Sequence, residues 1–155
     1  MPFYYPNRMN DYWRVMGLIF IGDRDALWDN ALKKFDLDAI KALLCREGIA
    51  LWDTGMVVRR LKDNASDKFL EIVEPIDLAT LLDAHPTISQ VVTTGEKATG
   101  VIATQAGIEV PAIGVPVACQ VGGHSFTLWR MPSTSRAYPL PLEQKAEAYR
   151  KVFGR

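Results

Sequence analysis

Twice in this chain a helix-period segment stops and gives way within a few residues to a short apolar or β-branched run, and this order restricts the fold more than any other feature. The first copy opens at Asp36, a good N-cap, carries Leu37, Ile40, Leu43 and Leu44 as an apolar stripe, and stops at Gly48, where a helix end favours positive φ. Ile49-Ala50-Leu51-Trp52 follows at once and reads as a buried strand. In the second copy Asp77 opens Leu78, Leu81 and Leu82, His85-Pro86 stops the helix, and Gln90-Val91-Val92-Thr93-Thr94 has strand composition. Gly95 then turns the chain into a helix containing Lys97, Ala98 and Val101. A third strand over Ser125–Trp129 leads into a loop from Met131 to Tyr138, and an amphipathic helix runs from about Leu142 to Phe153. Ahead of all this, a helix is predicted from about Asn10 as N-cap, with Asp11 in its first turn and Trp13, Met16, Gly17 and Phe20 on one face. Helices alternating with strands predict an α/β fold with a parallel or mixed sheet covered on both faces. Ligands in such folds sit at the carboxyl ends of strands, so function is expected in the loops starting at Asp53, Thr94 and Met131.

The chain has 155 residues, 48% of them hydrophobic and 23% charged, with no repeat or linker, which predicts one domain over 1–155. Eighteen cations balance eighteen carboxylates, so the strongly basic class of nucleic-acid binders is excluded while a local basic strip is not. Two cysteines, Cys45 and Cys119, cannot supply an iron–sulfur cluster or an all-cysteine zinc site, and both are expected as small core residues in a reducing, cytoplasmic setting. The longest apolar run, Val15 to Ile21, is far short of the roughly 20 residues that span a bilayer, and no membrane role is expected.

The common catalytic motifs are missing: there is no Lys-Ser/Thr phosphate loop, no G-x-S-x-G elbow and no histidine pair at metal spacing. His85 and His124 read as structural or solvated, and Asp53 reads as an N-cap before it reads as an acid. Two segments stand out. One is Phe3-Tyr4-Tyr5-Pro6-Asn7-Arg8-Met9-Asn10-Asp11-Tyr12-Trp13, with adjacent aromatics and two asparagines; the other is Met131-Pro132-Ser133-Thr134-Ser135-Arg136-Ala137-Tyr138, with three hydroxyls and a cation after a strand.

Together these segments resemble the uracil-DNA glycosylase superfamily, in particular its hypoxanthine-DNA glycosylase branch. Tyr4-Tyr5 through Asn10-x-Tyr12-Trp13 is similar to the tail of that branch's first motif, Tyr-Tyr-Gly-His-Pro-x-Asn-x-Phe-Trp. Gly48-Ile49-Ala50-Leu51-Trp52-Asp53 matches its Gly-Ile-Ala-Leu-Trp-Asp strand, Thr94-Gly95-Glu96-Lys97-Ala98 its Gly-x-x-Ala turn, and Met131 to Ala137 its Leu-Pro-Ser-Thr-Ser-Pro-Ala loop, all in family order. The resemblance implies a three-layer α/β/α fold with a short, mostly parallel central sheet. It implies a monofunctional glycosylase that hydrolyses the N-glycosidic bond of a deaminated base, hypoxanthine or uracil, without metal or cofactor. Such an enzyme flips its target nucleotide out of the duplex and stacks the base on an aromatic ring. On this pattern Asn10 positions the attacking water, Tyr5 stacks the base with Tyr4 and Asn7 as further substrate contacts, and Ser133, Thr134, Ser135 and Arg136 grip the DNA backbone. Lys97 is a candidate phosphate contact, and equally a solvated helix residue.

The chain departs from the family in three places. Arg136 stands where the branch has proline. Met131 stands where most of the superfamily has His or Asn, removing the side-chain donor for a departing uracil, so uracil is expected to be a slow substrate, and the resemblance to the hypoxanthine branch favours hypoxanthine. The family's buried first strand and Gly-x-x-Pro turn precede the Tyr-Tyr segment, and the sequence opens beyond both, so the domain is expected to be N-terminally incomplete with Met1 as an internal methionine; a monomer is expected for the full-length protein. Two further readings stay open: a truncated DNA-binding domain without activity, and a small α/β domain that binds a phosphorylated metabolite.

Overall fold

A computed structural model of the chain describes residues 4–5, 9–52, 55–60 and 70–154, with 55–60 and 70–75 described as backbone. The protein is mixed α/β and divides into two compact units, one formed by residues 1–52 with 134–155, the other by residues 53–133.

In the first unit, α1 covers Tyr12–Phe20, starting two residues after the expected cap. The Asn10 Oδ1 accepts the Tyr12 N–H at 2.9 Å, while Asp11 occupies the N-cap position without a side-chain cap bond. The reason is that the Asp11 carboxylate is taken by Arg136 and Lys145. Tyr12, Trp13, Arg14, Val15, Met16, Gly17 and Ile19 are all buried, so α1 is enclosed nearly all round, and Phe20, expected on the inward face, is half-buried edge-on to Phe153. A two-residue hairpin follows, β1 (Trp28–Asp29) with β2 (Lys34–Phe35), its turn held by the Asp29 carboxylate accepting from Ala31 and Leu32 N–H. Helix α2, Leu37–Glu47, begins and ends where the sequence placed it: Asp36 accepts the Ala39 N–H at 3.1 Å, and Gly48 closes the helix at φ 67°. At the other end of the chain α5, Leu142–Phe153, buries Leu142, Lys145, Ala146 and Tyr149 on one face. It packs on α1, where Tyr12 and Tyr149 meet edge to face.

The run 49–52 is not a strand. The Ile49 N–H donates to Leu44 O as part of the α2 C-cap, no described strand pairs with the run, and Trp52 is 58% exposed. A strand exists by virtue of its ladder, and an apolar run whose first amide is spent on a helix cap and which has no partner stays irregular. Cys45 is a second correction: it lies exposed on α2, whereas Cys119 is buried and its burial pushes the thiol pKa up.

The second unit begins with an antiparallel hairpin, β3 (Gly55–Arg60) with β4 (Leu70–Pro75). Helix α3, Leu78–Ala84, is capped by Asp77, which accepts from the Thr80 N–H and hydroxyl. The Gln105 amide also serves its first turn, accepting the Leu78 N–H and donating to Ile76 O. Strand β5 (Gln90–Thr94) leads through Gly95 into α4, Glu96–Ala106. The sheet is completed by β6 (Val117–Val121) and β7 (His124–Met131) in the order β5-β7-β6, parallel on one side of β7 and antiparallel on the other. This mixed sheet has one parallel and one antiparallel pairing where a mostly parallel one was expected. Gly122 and Gly123, both at positive φ, turn β6 into β7; a Cβ on Gly122 would sit 2.9 Å from the Ala79 Cβ, so the turn needs glycine for conformation and for space. Leu78, Leu82, Ile102, Cys119, Val121, Phe126 and Leu128 form the core of this unit.

Candidate functional site

In the first unit the two unusual segments meet. Asn10 and Ser135 form an isolated antiparallel bridge, the Asp11 N–H donates to Thr134 O at 2.7 Å, and the Arg136 N–H donates to Met9 O at 3.1 Å. Segments about 125 residues apart in sequence are thereby joined backbone to backbone. The Asn10 amide is oriented by the bond its Oδ1 accepts from Tyr12, which occupies one of two lone pairs.

Tyr4 and Tyr5 are half-buried beside this bridge. The Tyr4 carbonyl accepts from the Trp13 indole N–H at 2.9 Å. Tyr5 has a φ of 52°, a conformation non-glycine residues seldom adopt, and its ring stacks on Tyr12 at 4.3 Å between centroids and 18° between planes. One face of the Tyr5 ring is thus already covered. Asn7 lies outside the described residues, as does Asp53.

The loop residues divide by role. Thr134 is 2% exposed and serves the bridge through its carbonyl, whereas Ser135 is half-buried and its Oγ accepts the Ala137 N–H. The Arg136 side chain is 38% exposed, with Nε donating to Asp11 Oδ1 at 3.1 Å. Asp11 is buried, and its second oxygen lies 3.3 Å from the Nζ of Lys145, a lysine 1% exposed that also donates to Ser135 O at 3.0 Å. Arg14, buried with its guanidinium over the Trp28 and Phe35 rings at 5.4 and 5.2 Å, adds a further cation. Burial, and next the charge of Arg136, lower its pKa, while Asp11 acts in the opposite direction. Asp11 and Lys145 escaped the sequence reading. The available signal was a lysine on the inward stripe of α5, at the i+3 position between Leu142 and Ala146.

In the second unit, Ser133 and the Thr94-Gly95 turn are neighbours: the Gly95 N–H donates to Met131 O at 3.1 Å, and a Cβ on Gly95 would lie 3.8 Å from the Ser133 Cβ. The turn is pinned by buried hydroxyls, Thr93 Oγ1 to Thr99 Oγ1 at 2.7 Å and Thr99 Oγ1 to Gly95 O at 2.7 Å. Met131 is wholly buried, and Lys97 is exposed in the first turn of α4. His124 pairs with Asp83. Among the described residues no group of three or more His, Cys, Asp or Glu is placed to hold a metal ion, and no helix is long and apolar enough to cross a membrane.

The first unit therefore holds the Asn10 amide in a fixed orientation beside a loop segment that carries the half-buried Ser135 hydroxyl and the exposed Arg136 guanidinium. Comparison with protein-family models, curated proteins and solved structures finds no match to this chain.

Proposed function

We propose that this protein is a monofunctional DNA glycosylase of the uracil-DNA glycosylase superfamily, removing a deaminated base by water attack on the N-glycosidic bond. The observation that carries the reading is the Asn10–Ser135 bridge, because it unites the two segments whose sequences resemble the family's first motif and DNA-contacting loop. The Thr94-Gly95 turn against Met131 and Ser133 adds support within the second unit.

On this reading the target nucleotide leaves the stack and its base lies against the aromatic Tyr4-Tyr5 segment, with the Tyr5 ring as the stacking partner. The Asn10 Oδ1, fixed by Tyr12, uses its remaining lone pair to orient water toward the sugar C1′ as the C1′–N bond breaks. The new C1′–O bond forms as the base departs with the electron pair of the broken bond, and the proton that the water loses ends on the departing base. A neutral amide needs no shifted pKa for this task. Ser133, Ser135, Arg136 and Lys97 contact phosphates, and the Thr134 carbonyl holds the loop to the Asn10 segment. Met131 offers no donor to a departing uracil, and losing one such donor typically costs about 10²–10³ in rate, so uracil is a slow substrate, while the resemblance to the hypoxanthine branch favours hypoxanthine.

The test is base release from oligonucleotides bearing deoxyinosine, deoxyuridine or deoxyxanthosine, single-stranded and duplex, with wild type and Asn10→Ala. Release of hypoxanthine faster than uracil, lost in Asn10→Ala at unchanged DNA affinity and far beyond what the lower melting temperature from the lost Tyr12 bond accounts for, is the expected result. Duplex binding without release from any substrate would mean a binding domain. No affinity for DNA even at low salt would favour the metabolite-binding reading, since phosphate contacts are strongest there.

A further inference from the structure

The Asn10–Ser135 bridge is backed by an ionic cluster of Asp11, Lys145 and Arg136, of which the glycosylase chemistry above uses only Arg136. Lys145 rises from the inward face of α5, and its ammonium bonds Asp11 on the α1 side and the Ser135 carbonyl on the loop side. Arg136 closes the cluster from the loop onto the other oxygen of Asp11. Asp11 and Ser135 both lie in the joint between the Asn10 segment and the loop, and Lys145 contacts both.

A buried ammonium is a poor choice for packing alone. Leu or Met at this position would fill the space between Leu142 and Ala146 without removing a charge from water, and apolar replacements of buried ion pairs are often as stable as the originals or more so. What a charged group adds is a fixed direction, because its hydrogen bonds are satisfied at one relative placement of its partners. We propose that Lys145 is a positioning residue that sets the placement of the Asn10 amide relative to the Thr134–Arg136 segment of the loop. Lys145 touches no substrate. It acts through Asp11, whose backbone N–H bonds Thr134 O and whose neighbour is Asn10. The inference rests on the glycosylase reading, since it assigns the consequence of that placement to catalysis.

The test uses the full chain as wild type, Lys145→Met and Asp11→Asn. Lys145→Met removes the charge at similar volume and leaves Asp11 paired with Arg136; Asp11→Asn leaves Lys145 bonded to Ser135 O and serves if the first variant does not fold. Two quantities are read: hydrogen exchange of the Asp11 and Arg136 amides, which cross the bridge, and kcat with KM for hypoxanthine release. Exchange at those amides at least about tenfold faster, with α2 amides unchanged, is expected together with kcat at least about tenfold lower at KM within about twofold, as misplacement of a catalytic group by about 1 Å can cost more. With an active wild type, unchanged exchange overturns the assignment. Faster exchange with unchanged kcat also overturns it, because Lys145 is then structural only. A wild-type chain that releases no base overturns the glycosylase reading itself and takes this assignment with it.

Discussion

Two helical glycines with opposite surroundings show how much a single Cβ decides here. Gly17 lies buried in α1, and a Cβ added to it would meet the backbone carbonyl oxygen of Asp23 at 2.6 Å. The turn that brings Asp23 so close is fixed by three amides, those of Ile21, Gly22 and Asp23, all donating to Gly17 O. Alanine would gain about 1 kcal/mol of helix propensity at this position, but a backbone oxygen cannot swing aside as a side chain does, and overpacking costs about 1–3 kcal/mol. Gly100 in α4 has nothing within 4 Å of its ideal Cβ. Urea denaturation should therefore show Gly17→Ala less stable than wild type and Gly100→Ala more stable by about 0.5–1 kcal/mol. A stabilised Gly17→Ala would mean that the turn after α1 yields more easily than its hydrogen bonds suggest.

Among the elements, helices were legible where a side chain closed the end locally. Asp36 and Gly48 bound α2, Asp77 opens α3, and α5 runs over the residues its amphipathic pattern marks, because caps and 3.6-residue stripes are written in contiguous sequence. Asp36→Ala should accordingly lower stability by about 1 kcal/mol, measured as a drop in the urea midpoint at constant slope; no change would mean that the bond to Ala39 is replaced by water at no cost. Strands depend on partners, which local sequence does not specify. Ile49 to Trp52 has strand composition but no ladder, while β6, alternating Val117, Cys119 and Val121 inward, was obscured by Pro111 and Pro116 just upstream. The two hairpins were missed for related reasons, since the ladder of β1 and β2 is two residues long and that of β3 and β4 carries register shifts. At the candidate site, the Asn10 and Ser133–Arg136 segments were visible as unusual composition with a family resemblance. The ion pair that ties them was not, because Asp11 and Lys145 are 134 residues apart and each alone reads as an ordinary helix charge.

At the scale of the molecule, the first unit is assembled from the two ends of the described chain, and its closure is the packing of α1 on α5. Tyr12 and Tyr149 lie within that packing, both buried, with Trp13 edge-on to Tyr12. Burial, and secondarily the neighbouring phenols, raise the pKa of each well above the usual tyrosine value. In the unfolded chain both phenols ionise near pH 10, whereas the folded protein keeps them protonated. Above that pH the unfolded state binds fewer protons than the folded one, so stability falls as pH rises, by about tenfold in the folding constant per pH unit for each phenol. The pair should thus make this unit sensitive to alkali while leaving its stability unaffected by these groups below about pH 9. Urea midpoints measured from pH 8 to 11.5 should be flat at first and then fall, and the double variant Tyr12→Phe, Tyr149→Phe should fall much less steeply over the same range. Lysines also lose charge in this window, and the double variant separates their effect from that of the phenols because it leaves every lysine in place. Equal slopes in the two proteins would show that the phenols ionise without unfolding, and that the contact between α1 and α5 admits water more readily than its burial indicates.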